Sequence, residues 1–415
     1  MAVGSGPPSE SGIILPALKR LVPNLLLALA SALAFVLALE GALRAFWPQA
    51  FPFLSGLIVE DPVVGTRHVP HARSRMASEG GPDVPVRINS RGYRDREYDW
   101  ASPRGFRILG LGDSFAFGFG VKEEDTYLER LERMLEGRRV EVVNAGLAGM
   151  GTDNEARLLA ADGPALRPDL VLVGFFVGND LVDVLTGPQR TRLEDGLPVL
   201  PDGFVERWYR DVRPGRILPQ PRARSTPGLG LPIPFKALLR RHSHAYRFLS
   251  GRVGLLRRMA EGEPAAPSAA PPFTPFHLQA FCLKRYPPEF EEAWERTRGL
   301  LREMKAWCDG HGATLAVLVI PAAAQVHPER WDATRRRYGL RDEDFDLEKP
   351  HRLMAGFAAE AGIPVIDLLP ALRAARGTGG PLYFTADIHW TPRGHAVAAD
   401  EILRQLSALG LLPVS

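Results

Sequence analysis

The chain has 415 residues, 45% hydrophobic and 24% charged, the make-up of an ordinary folded protein. A formal net charge of +3 is too small to select nucleic acid as a partner. Its two cysteines, Cys282 and Cys308, match no metal spacing and no Cys-x-x-Cys redox pair; they read as two free thiols or, in an exported domain, one disulfide.

Residues 1–18, rich in Gly, Ser and Pro, read as a disordered cytoplasmic tail. Residues 19–47 read as a transmembrane anchor. Its core, Leu21 to Leu39, carries no charge over 19 residues. At ~1.5 Å per residue that nearly matches the ~30 Å hydrocarbon layer of a bilayer. A cleaved signal peptide and a buried core helix are the alternatives. The run is long for a signal peptide, and its end, Leu-Glu-Gly-Ala-Leu-Arg, is a poor cleavage site. Lys19 and Arg20 on the entry side favour a cytoplasmic N-terminus, with the body of the protein outside the cytoplasm on the periplasmic or extracellular face.

Residues 48–104 read as a linker and lead-in, with an extended stretch at 84–89 and a turn at 89–95. Strand–helix alternation then begins. Strands are predicted at 106–111, 140–144 and 169–176, with helices near 125–136 and 153–161, so that 105–184 forms the first half of a catalytic domain. Residues 185–285 are Pro- and Arg-rich and read as an insertion or cap. They hold one basic helix near 235–259 (Lys236, Arg240, Arg241, Arg247, Arg252, Arg257, Arg258) and a low-complexity stretch at 263–272. That basic helix reads either as a solvated face or as a surface for anionic lipid or acidic polysaccharide. Residues 286–415 form the second half: a helix to about Gly310 with Trp294, Leu301, Met304 and Cys308 facing the core, a strand at 314–320, a helix near 349–361, a strand at 363–367 and a last helix from Pro392. Five strands alternating with helices imply an α/β fold: three layers, α/β/α, around a five-stranded parallel flavodoxin-like sheet, with an N-terminal transmembrane helix and an irregular insertion.

The chemistry gathers at the strand ends. Ser114 lies in Gly112-Asp113-Ser114, straight after the first strand. A hydroxyl there is either a nucleophile or part of an anion-binding turn. The second strand runs out into the segment holding Gly149, and the third into Gly178-Asn179-Asp180. In a parallel sheet these ends project into one crevice, where a glycine N–H and a side-chain amide would oppose the negative charge that forms on an attacked carbonyl oxygen. Asp387-Ile388-His389 supplies an imidazole to take the serine proton and a carboxylate to fix its tautomer. A metal site of Asp387, His389 and His395 is the lesser alternative.

These four blocks, in this order, resemble the SGNH hydrolases, the GDSL esterase/lipase family, over about residues 105–182 and 381–400. The resemblance implies Ser114 as nucleophile, Gly149 and Asn179 as oxyanion donors beside the Ser114 amide, His389 as general base and Asp387 as its partner, with no cofactor and no metal. Phe115 stands where many members have leucine. The form Asp-x-His-Trp, in place of Asp-x-x-His-Pro, looks like the alginate O-acetyltransferase branch, in which that segment precedes the serine; here it follows. The expected function is a serine-dependent ester hydrolase acting outside the cytoplasm on lipid or glycan esters. One alternative is an O-acetyltransferase of a cell-envelope polysaccharide fed by an integral membrane acyl donor protein. A non-enzymatic anchored scaffold is the other.

Overall fold

The computed structural model describes residues 11–46, 56–77, 83–101, 105–186, 192–194, 197–199, 239, 243–246, 248–250, 252–253, 281–338, 340–385 and 387–413. The chain divides into two units, Met1–Phe51 with Pro221–Ala265, and Pro52–Gln220 with Ala266–Ser415.

In the first unit the main element is helix α1, Ser11–Phe46. It begins inside the stretch expected to be a tail. Within it Leu26–Phe46 is long and apolar enough to cross a membrane, with a mean hydropathy of 2.2. Leu26, Leu27, Leu33, Phe35 and Leu37 are exposed, as expected of a helix whose surroundings are apolar on all sides. Near its end, Glu40 accepts hydrogen bonds from the Ser243 hydroxyl (2.9 Å) and from the backbone N–H groups of His244 (3.1 Å) and Ala245 (2.8 Å). This carboxylate caps the turn at 244–246, satisfying N–H groups with no partner inside that turn. Most of the predicted basic helix, including Lys236, Arg240, Arg241, Arg247, Arg257 and Arg258, lies outside the described residues, as do the low-complexity stretch and residues 1–10.

The second unit holds the sheet. Its parallel strands are β5 (Phe106–Leu111), β6 (Val140–Asn144), β7 (Leu170–Phe176), β10 (Thr314–Ile320) and β11 (Val365–Asp367). Their spatial order is β11-β10-β7-β5-β6, which is the flavodoxin-like order. Strands β6 and β7 are buried along their whole length, and β7 matches its near-continuous apolar run. The exception inside β5 is Arg107. Its fully buried guanidinium bonds Glu141 on β6 (2.6 Å) and the carbonyl of Leu166 (2.6 Å) at the end of helix α4, Thr152–Leu166. A buried cation is tolerated there because a paired carboxylate and a helix-end carbonyl replace its water.

Helices cover both faces. Besides α4 they are α3 (Tyr127–Met134), α5 (Asp180–Thr186), α6 (Pro288–Gly310), α9 (Lys349–Ala361) and α11 (Pro392–Ala408), with short α2 (Ser114–Phe117), α7 (Ala323–Val326), α8 (Pro328–Tyr338) and α10 (Leu369–Ala375) at strand exits. The expected core residues of α6, namely Trp294, Leu301, Met304 and Cys308, are buried. Cys282 and Cys308 are both free and buried, so no disulfide joins them, and burial pushes each thiol up to about 12.

Two segments differ from their sequence reading. The linker contains two antiparallel hairpins, β1 (Ile58–Asp61) with β2 (Gly65–His68), and β3 (Arg73–Ala77) with β4 (Asp83–Arg87). Apolar residues at alternate positions, Val84, Val86 and Ile88, close a small core with Leu57, Ile58 and Met76. The insertion opens with a hairpin of its own, β8 (Arg192–Glu194) and β9 (Leu197–Val199). The chain rejoins the main core at Phe281 and Cys282, ahead of the expected boundary at 286.

Two glycines test the packing. A Cβ on Gly146 would stand 2.4 Å from the Phe117 nitrogen and 2.6 Å from the Ala116 carbonyl carbon, both backbone atoms. A Cβ on Gly299, inside α6, meets nothing within 4 Å. Urea unfolding is expected to show Gly146→Ala destabilised by about 1–3 kcal/mol and Gly299→Ala stabilised by up to ~1 kcal/mol.

Candidate active site

Strand β5 ends at Leu111, and the chain turns through Gly112 into Asp113 and Ser114. Asp113 caps α2, its carboxylate accepting from the Phe115 N–H at 2.8 Å. Ser114 is thereby fixed as the first residue of a helical turn at the carboxyl edge of the sheet, half-buried.

His389 reaches it from a loop just before α11. That loop is pinned at several points. The Tyr383 hydroxyl donates to the Pro321 carbonyl (2.8 Å), the Phe384 N–H donates to the His389 carbonyl (3.0 Å), and Thr391 caps α11 by accepting from Gly394 (3.3 Å). The fully buried Trp390 packs edge-on against Phe115 at 4.9 Å. The result is a 2.7 Å hydrogen bond between Ser114 Oγ and His389 Nε2. On the other side of the ring, Nδ1 meets a carboxylate oxygen of Asp387, which also accepts the His389 backbone N–H at 3.0 Å. Burial alone would raise the Asp387 carboxyl. The ring and backbone N–H donors of His389 outweigh it and hold the group below its ordinary value. An ionised Asp387 keeps the proton on Nδ1, so Nε2 accepts from the serine hydroxyl.

The expected oxyanion donors stand on the neighbouring strand exits. Gly149 has φ +84, a left-handed conformation that favours glycine, and a Cβ there would meet nothing within 4 Å. The requirement is thus on backbone direction, not on space. The loop before it is tied to the serine turn by Ala145 N–H to the Gly110 carbonyl and Leu147 N–H to the Gly112 carbonyl, each 2.9 Å. Asn179 follows β7 and donates one amide hydrogen to Asp183 at 2.7 Å. An amide nitrogen carries a second hydrogen, available for another acceptor.

His395 does not join Asp387 and His389 as a metal ligand. It lies buried between Tyr127 and Trp390, and its Nδ1 accepts the Tyr127 N–H at 3.2 Å. Burial lowers its imidazole to about 3, so it stays neutral. Among the described residues no group of three or more His, Cys, Asp or Glu is arranged to hold a metal ion.

Sequence reasoning passed over the acids next to Ser114 and Asn179. Asp180 accepts from the Phe176 N–H at 2.8 Å, as Asp113 does from Phe115, and each leaves its second oxygen buried without a hydrogen bond. Burial raises both carboxyls. Asp113 is pushed up to about 7, the Phe115 N–H and His389 opposing the shift and Asp183 adding to it; Asp180 is pushed well up, the charges of Asp113, Glu155 and Asp183 adding to burial. Both acids sit inside the Gly-Asp-Ser and Gly-Asn-Asp motifs, so the signal was present but unread.

The comparisons with known proteins fall on the same chemistry. Residues 284–413 match the family described as "SGNH hydrolase-like domain, acetyltransferase AlgX". That stretch of the chain is SGNH hydrolase-like, and the resemblance read from the sequence holds. It contains Asp387 and His389, while Ser114, Gly149 and Asn179 lie before it. The chain is 27% identical over 118 residues to "Probable alginate O-acetylase AlgJ" of Azotobacter vinelandii, covering 28% of each. It is 30% identical over 126 residues to the protein of the same name from Pseudomonas aeruginosa, covering 30% of this chain and 29% of that one. It thus spans under a third of the length of these relatives. Among solved structures, a catalytic mutant of an acetylxylan esterase from Geobacillus stearothermophilus is 14% identical, covering 74% of this chain and 95% of that chain with a TM-score of 0.36.

The buried Asp113 sets a pH dependence. Its folded carboxyl holds a proton to about pH 7, whereas the ordinary value is 3.8. Between those values unfolding releases a proton, so this group makes the wild type less stable as pH rises through that window. Asp113→Asn keeps the cap acceptor and removes the ionisation. Urea unfolding from pH 4 to pH 7 is expected to show its stability rising relative to wild type with pH.

Proposed function

We propose that this chain is a serine-dependent acyl-ester enzyme in which Ser114 is the nucleophile, His389 the general base and Asp387 its orienting partner, with the N–H groups of Ser114 and Gly149 and the Asn179 amide as oxyanion donors. The observation that carries this reading is the relay of hydrogen bonds from Asp387 through both ring nitrogens of His389 to Ser114 Oγ, at the 2.7 Å reach a general base requires.

In the first half-reaction Nε2 takes the hydroxyl proton and Oγ attacks the ester carbonyl carbon. The tetrahedral oxyanion collapses, the alkoxide leaves with the proton from His389, and an acyl-serine remains. In the second half-reaction His389 deprotonates an acceptor, which attacks the acyl carbon and releases Ser114. Water as acceptor gives ester hydrolysis. A sugar hydroxyl gives O-acyl transfer, and the AlgX-type match with the AlgJ relatives favours O-acetyl transfer to a polysaccharide as the physiological outcome. The apolar helix Leu26–Phe46 supports a single-pass anchor with the catalytic unit outside the cytoplasm. An integral membrane donor protein would then deliver the acyl group across the bilayer.

Kinetics on 4-nitrophenyl acetate are the first check. Ser114→Ala and His389→Ala are each expected to lower kcat by about 10^4-fold or more, and Asn179→Ala by about 100- to 1000-fold. Full activity in Ser114→Ala overturns the assignment. With an oligosaccharide acceptor added, mass spectrometry is expected to find acetyl groups on the sugar. Release of free acetate alone would leave the hydrolase as the function.

A further inference from the structure

The segment ahead of the catalytic sheet is built into the back of the serine turn. Its small core of Leu57, Ile58, Met76, Val84, Val86 and Ile88 closes over Phe117 and Ala148, with Phe119 packed partly against it. The ring of Phe117, the last residue of α2, lies 5.0 Å from buried His68. Polar ties reinforce the packing. Arg94, fully buried, donates to the carbonyls of Phe117 (2.9 Å), Gly118 (2.6 Å) and Val121 (2.7 Å). Its guanidinium also lies over the Phe117 ring at 5.0 Å. The Gly120 N–H meets the Met76 sulfur at 3.3 Å. One cation and one thioether thus fix the loop that leaves Ser114.

That loop presents Phe119 to the imidazole. The Phe119 N–H donates to the Ser114 carbonyl at 2.9 Å, and its ring lies 4.5 Å from that of His389, tilted by 34°. Phe115 lies against the same imidazole at 5.1 Å but is sealed in the core. Phe119 is half-buried, like Ser114, so it stands at the edge of the reaction space. Asp387 fixes one ring nitrogen of His389 but leaves the ring free to swing about that bond. Flat contacts on the ring restrict the swing.

We propose that Phe119 is a positioning residue that holds the His389 ring over Ser114, and that Arg94 positions Phe119 by clamping the 117–121 loop, which makes the two-hairpin segment 56–101 part of the active site. The inference rests on the reading of Ser114 and His389 as nucleophile and base.

The test uses the full chain in detergent, with 4-nitrophenyl acetate for turnover and a fluorophosphonate for the labelling rate of Ser114. Misplacing a catalytic group by ~1 Å costs up to about 100-fold. Phe119→Ala is expected to lower kcat and the labelling rate together by about 10-fold, with KM changed less than about twofold. Phe119→Tyr, which keeps the ring, is expected to restore most of both, and Phe119→Leu, which keeps bulk without the ring, to restore little. Arg94→Lys, which keeps the charge and loses the fork that spans three carbonyls, is expected to fall between. Wild-type kcat and labelling in Phe119→Ala, or equal rates for the Leu and Tyr variants, overturn the proposal. Ser114→Ala run beside them separates the two readings: if it is inactive while Phe119→Ala is unaffected, only this inference falls.

Discussion

The hydrogen bond between Ser114 and His389 joins residues 275 positions apart in the chain, and the sheet is what closes that distance. Strand β5 carries Ser114 to the carboxyl edge, and β7, its neighbour, carries Asn179 to the same edge. These two strands flank the point where the strand order reverses, which is where an open α/β sheet leaves its crevice. The His389 loop follows no strand directly. It leans on the exit of a third one, β10, through the Tyr383 hydroxyl and the Pro321 carbonyl, and its Trp390 is buried against Phe115 of the serine turn. Three strand exits therefore bear on one contact.

Those exits share a device. Where each of three adjacent strands ends, a buried carboxylate accepts a backbone N–H. Asp113 takes that of Phe115 after β5, Asp180 that of Phe176 at the end of β7, and Asp95 that of Asn144 at the end of β6. Burial pushes all three carboxyls up. An unpaired N–H in a dry interior is costly, so each acid stabilises a local backbone turn that a ladder hydrogen bond cannot reach. Asn144 then links two exits, its amide donating to the Ala116 carbonyl and accepting from Gly146. The turns of the site are thus tied by side chains, and burial favours the neutral form of the acids that tie them.

Much of this was legible in the sequence because it rests on short-range rules. Apolar runs alternating with helical stretches marked the five strands, and a proline at a first helical turn marked the start of α11. Ser114, Gly149, Asn179, Asp387 and His389 each stood at a strand exit or a helix start, where the fold class alone says chemistry collects. What stayed hidden was packing between elements distant in sequence. The hairpins of residues 58–87 are short, and β3 carries Arg73 and Arg75 at alternate positions, so their apolar face is narrow and they read as linker. Phe115, Phe117 and Phe119 alternate along the serine turn, yet each faces a different neighbour: the main core, the lead-in core and the imidazole. Arg94 offered no signal, since nothing in an Arg-rich turn announces that one of its members will be buried under three carbonyls.

The groups around Ser114 also say where selectivity between hydrolysis and transfer must reside. In the proposed mechanism, water and a sugar hydroxyl make the same demand on the acyl-serine: each needs His389 to take its proton and the same N–H groups to hold the oxyanion. No substitution within Asp387, His389, Ser114 or the oxyanion donors can therefore favour one acceptor strongly over the other. The choice falls to whatever fills the space beside Nε2 when the acyl-enzyme forms, because an acceptor bound there excludes water by occupying its position. Ser114 is half-buried, and the half-buried residue against the imidazole, Phe119, is aromatic. An aromatic face offers a sugar ring a surface to lie on while giving water no hydrogen bond. In a site built this way, acceptor preference belongs to the walls, and the loop from Phe115 to Val121 is a wall and a catalytic support at once.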